Sequence, residues 1–238
     1  MTGENRERLQ REIAALAARR MAEFGDECAQ AKRKAAADYL GDARGAQRAL
    51  PDDEQVADAL REHLRTFEAD EHPARIEALR RRALAWMERL AQFEPHLVGA
   101  VLNGSATRYS ALQLQLFAES AKDVEMQLLT QDVSFRVEAP EDPRSHALEV
   151  IGFHDLPLVQ ARTDRALGGA GGRGTLPLRV VLTVFDPRGL RVAPKGKLRS
   201  RDQRLHPIER SGRASLGMVR ELLAGPMRSN DEPDEGVN

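Results

Sequence analysis

Apolar residues recur every three or four positions up to residue 95 and then, abruptly, every second position. Leu9, Ile13, Leu16, Ala17, Met21 and Phe24 share one helical stripe that ends at Gly25 and Asp26, which predicts a first amphipathic helix. A second helix is expected from about Glu27 to Leu40, with Gly41 and DARGAQ as the loop behind it. Pro51 supplies a fixed φ, and Asp52 and Asp53 favour the positive end of a helix. A third helix should therefore begin there and continue through Val56, Leu60, Leu64 and Phe67. Ile76, Leu79, Ala83, Trp86, Met87 and Leu90 place a fourth between Ala74 and Phe93, stopped by Glu94 and Pro95. Trp86 at that spacing reads as core.

The period then drops to two. Leu97 to Leu102 is a short apolar run, and Leu112, Leu114 and Leu116 alternate with Gln113 and Gln115, so sheet is expected on both sides of NGSATRYS. AESAKDVEMQLLT follows as a helix with Ser120 as its N-cap. Further strands are expected at Val133 to Val137, His146 to Phe153 and Leu176 to Phe185, the last apolar enough to be buried. A final helix should run from Ser211 or Ser215 to Leu223. The fold class is α+β: an N-terminal helical region over 1–95, a small mixed sheet flanked by helices over 96–224, and a polar acidic tail over 225–238.

Composition changes this picture little. The net charge of −1 gives no bulk argument for nucleic acid or membrane, but residues 187–228 carry +8. That basic run, RGLRVAPKGKLRSRDQRLHPIERSGR over 188–213, offers Arg199, Arg201 and Arg204 to an anion, RNA or an acidic partner. It contains no aromatic residue for base stacking and reads first as a solvated loop. One cysteine, Cys28, fits a reducing compartment, and no export signal or membrane span is expected, which points to the cytoplasm. The six histidines form no metal-ligand spacing, and GGAGGRG lacks the Lys-Ser/Thr ending of a P-loop.

The stretch LVGAVLNGSATRYSALQLQLF, from Leu97 to Phe117, resembles the entry motif of the polymerase-beta-type nucleotidyltransferase superfamily, in which a strand ends in Gly-Ser and the next carries Asp-x-Asp. With AESAKDVEMQLL and VVLTVFDPRGLR in the same order, the likeness to bacterial nucleotidyltransferase-like proteins extends from about Ala31 to Leu223. It implies a Gly104–Ser105 turn open to a nucleotide triphosphate, with Ser110 ahead of the acidic pair. Three carboxylates would then hold magnesium for attack on the α-phosphate. The aligned positions here are Ala111, Gln113 and Val181, none of them acidic.

The resemblance therefore implies a degenerate member that retains a nucleotide- or partner-binding role without metal-dependent transfer. An alternative is an active transferase with relocated acids, Asp186, Asp155 or Glu149, which alone would require magnesium and a nucleoside triphosphate. A further one is a nucleic-acid-binding or adaptor module using 188–213. Asp186 also reads as a turn starter in Phe-Asp-Pro.

Overall fold

The computed structural model describes residues 3–41, 50–140, 146–156, 177–191 and 204–225. In chain order the elements are α1 (Gly3–Phe24), α2 (Cys28–Leu40), α3 (Asp53–Phe67), α4 (Glu71–Arg89), β1 (His96–Val98), α5 (Gly99–Asn103), β2 (Leu112–Phe117) and α6 (Ala121–Thr130). They continue with β3 (Arg136–Glu138), β4 (Glu149–Asp155), β5 (Leu178–Phe185), β6 (Ala214–Ser215) and α7 (Leu216–Ala224), with single 3-10 turns at Ala91–Phe93 and Pro187–Arg191. None of the described helices is long and apolar enough to cross a membrane.

The first three helices pack on one another through small side chains. Ile13, Ala14 and Ala17 of α1 meet Ala31, Ala35 and Ala36 of α2 and Val56 of α3, while Ala18 and Ala22 meet Leu60 and Leu64. Alanines let helix axes approach closely. Asp52 caps α3 with a reciprocal box: its carboxylate accepts the Gln55 N–H at 2.7 Å, and the Gln55 side chain accepts the Asp52 N–H at 2.9 Å.

The fourth helix starts earlier than its apolar stripe implies, at Glu71, with Pro73 inside its first turn. That turn has no intrahelical acceptor to lose, so proline fits there. Its face of Ile76, Leu79, Ala83, Trp86 and Met87 joins the core of the sheet, together with Val124 and Leu128 of α6 and Val219 of α7.

Among the described residues the sheet has six strands in the order β3-β4-β5-β2-β1-β6; β2 and β5 are parallel and every other pair is antiparallel. The expected strand from Leu97 to Leu102 is corrected: extended structure stops at Val98 and the rest is the short helix α5. Gly99, at φ +71°, makes that break, and a Cβ there would collide with the Gln113 carboxamide. The strand expected at Val133 to Val137 is confined to Arg136–Glu138, and that at His146 to Phe153 runs from Glu149 to Asp155.

The run from Leu176 is not buried throughout. Leu178, Val180, Leu182 and Val184 face the core, whereas Arg179 is exposed and Val181, Thr183 and Phe185 are only half-buried. The helices that share this core lie against the first set, leaving the second on the accessible face. Ser120 caps its helix as expected, accepting from the Lys122 N–H group, and of the two starts expected for the final helix it is Ser215 that caps it, accepting from Met218 N–H. DARGAQ, the glycine-rich loop at 167–174, Arg199, Arg201 and 226–238 lie outside the described residues.

Candidate functional site

The parallel ladder sets Gln113 directly beside Val181, and Val181 pairs in turn with Gly152 on β4. Two positions where the resemblance would require acids are thus neighbours across the accessible face, 68 residues apart in sequence by their own numbers. Ala111, half-buried, immediately precedes β2. A methyl, a carboxamide and an isopropyl group cannot supply the anionic oxygens that replace the water around magnesium. The residues present do not fit the metal.

One carboxylate does cross this face. Glu138 lies over Gly152, where a Cβ would collide with it, and is bonded to Arg179 at 2.6 Å. It stands singly: among the described residues no three His, Cys, Asp or Glu side chains gather as a metal-binding group. The relocated acids do not converge. Glu149 and Asp155 begin and end β4, which at about 3.3 Å per residue separates their backbones by roughly 20 Å.

Each of those acids has other surroundings. Asp186 is exposed and accepts the Arg188 N–H at 2.8 Å, starting a turn. Asp155 receives the Trp86 indole N–H at 2.6 Å, Arg82 at 2.8 Å and the Leu156 amide at 2.7 Å. Burial alone would raise its carboxyl, but these three donors outweigh it and leave it below the usual range. Glu149 is raised by burial and by the adjacent Glu125 carboxyl, whose own pKa is lowered chiefly by Lys122.

The Gly-Ser corner follows the short helix α5 and not a strand. Gly104 takes the left-handed position that ends it, at φ +75°. Ser105 is buried, and both its donors are spent locally: its Oγ–H goes to Asn103 Oδ1 at 2.7 Å, and its N–H goes to that oxygen and to the Ala100 carbonyl, each at 3.0 Å. Ser110 is likewise engaged, its Oγ accepting the Thr107 N–H at 2.9 Å. The amides and hydroxyl that would cradle a phosphate are turned inward.

What this corner presents instead is carbonyl oxygen. Arg61 from α3 donates to the Asn103 carbonyl at 3.1 Å, and Arg80 from α4 donates to those of Val101 and Leu102 at 3.2 and 2.8 Å. Cations suit the end of a helix. Arg80 also holds Glu209 at 2.6 Å. His72, buried beside them, has its pKa pushed down to about 4, first by burial and then by Arg75, against the opposing pull of Glu68 and the Gly104 carbonyl.

Arg61, His72, Arg80, Asn103 and Glu209 were not singled out by sequence reasoning, yet a signal existed. Arg61 interrupts the stripe Ala57–Leu64, and Arg80 interrupts Ile76–Ala83–Met87. A cation on a core-facing stripe demands a buried acceptor. Arg204 is described and exposed, in the loop that contains Glu209. Comparisons with protein-family models, curated proteins and solved structures found no match for this chain.

Proposed function

We propose that this chain is a binding protein on a nucleotidyltransferase-like frame, engaging a nucleotide or protein partner without metal-dependent nucleotidyl transfer. The observation that carries this reading is the pairing of Gln113 with Val181 on the accessible sheet face, where acids would be needed together and neither position carries one. The inward bonds of Ser105 support it. A lone cysteine, Cys28, suits a cytoplasmic setting; burial and Asp53, against the opposing pull of Lys32, push its thiol up to about 11, so it stays protonated at neutral pH.

Incubation with each labelled nucleoside triphosphate and magnesium or manganese should give no transfer to protein, RNA or small acceptors. Introducing Ala111→Asp, Gln113→Asp and Val181→Asp together should create magnesium affinity, measured by calorimetry, because the register brings two of the three side by side. Wild-type transfer that is lost in Ser105→Ala would defeat the proposal.

A further inference from the structure

We infer that the Glu209 carboxylate is the internal occupant of an anion site on Arg80, and that a phosphate-type anion competes with it and frees the 204–213 loop. Arg80 is nine-tenths buried. Its bonds to the Val101 and Leu102 carbonyls fix the guanidinium plane, and its Nη2 is shared with Glu209 Oε1 at 2.6 Å. The second oxygen of Glu209 accepts the His206 N–H at 2.7 Å. Glu209 thereby ties the loop to α4 across 129 positions of sequence, beside Ile208, which is buried in the shared core.

The neighbouring buried cations are satisfied differently. Arg61 pairs with Asp58 and Glu54 of its own helix, and Arg75 pairs with Glu68 and Glu71, which immediately precede it. Those acids arrive with the helices themselves. Arg80 takes its acid from a loop within the basic run, where Asp202 and Glu209 are the acids between 188 and 213.

The pair is also approachable. The side chains of Arg80 and Glu209 keep 11% and 15% of their surface in solvent, so the pair is not sealed. A guanidinium accepts phosphate oxygens in the same planar geometry as a carboxylate. An anion bound there would turn Glu209 out, and occupancy of Arg80 would become freedom of the loop. This inference goes beyond the proposed function, since it makes no use of positions 111, 113 or 181.

The test uses the full chain, inorganic pyrophosphate as probe, calorimetry for affinity and hydrogen exchange for the loop. Glu209→Gln should bind pyrophosphate about tenfold more tightly than wild type, the factor commanded by one charge-assisted hydrogen bond. Pyrophosphate should raise exchange at 206–211 in wild type, and Glu209→Gln should show that raised exchange without it. Arg80→Lys, which keeps the charge but loses the planar fork, should abolish the gain; thermal melting verifies that each variant is folded. Equal affinities in wild type and Glu209→Gln, an equal gain in the remote control Glu62→Gln, or loop exchange indifferent to pyrophosphate would each overturn the inference. None of these outcomes bears on the transfer assay.

Discussion

His72 shows how much a single buried ring can dictate. Its folded pKa of about 4 lies below the ordinary 6.5, so between those values the unfolded chain takes up a proton that the folded chain refuses. Its contribution is complete above pH 6.5 and is lost as pH falls towards 4. Allowing for the 9% of its surface left in water, this amounts to about 3 kcal/mol over that window. Urea titrations of His72→Gln should show a flatter dependence of stability on pH between 6.5 and 4 than wild type. An unchanged slope would remove His72 from the account.

At the scale of elements, side-chain chemistry at helix ends was easier to read than the path between them. Asp52, Ser120 and Ser215 announce helix starts because a short oxygen-bearing side chain before an apolar stripe serves the free amides of a first turn. Asp52→Ala should cost about 1 kcal/mol, read as a lower urea midpoint with unchanged slope. The strand from Leu97 could not be read correctly, because LVGAVL is apolar under either period and only the left-handed Gly99 decides between them.

Pro73 misled in the opposite sense: as a helix breaker it suggests a boundary, yet in a first turn it breaks nothing. At the site, the register that joins Gln113 to Val181 depends on β5 being β2's parallel neighbour, a choice no local pattern contains. Asn103, which occupies the donors of Ser105, is invisible as a partner until α5 curls it back.

For the whole molecule, α4 joins the sheet through its apolar face, whereas polar contacts reach the α5–β2 segment from α1 and α3. Arg61 reaches the Asn103 carbonyl, and Tyr109 packs on Gly25 and donates to the Glu23 carbonyl at 3.2 Å. Arg61→Ala would leave the Asn103 oxygen and the acids at Asp58 and Glu54 without this cation. A loss of about 2 kcal/mol is expected, because the buried Asn103 carbonyl loses its charged donor. Equilibrium unfolding followed by Trp86 fluorescence, which reports the α4 side, and by far-ultraviolet dichroism, which reports all helices, should show both signals weakened. Loss confined to the dichroism would mean that the two regions do not stabilise each other through Arg61.

The position of β5 between β4 and β2 bears on how the chain can be made as well as on how it rests. A ribosome that has delivered everything up to β4 has supplied the β3–β4 ribbon and the β1–β2 pair but not the strand that joins them. The β3–β4 ribbon must then wait, its open edge unmatched, for a strand encoded later. Synthesis from the amino end thus leaves a window in which two sticky half-sheets coexist, and a separately added peptide spanning Leu178–Phe185 is the piece able to close them.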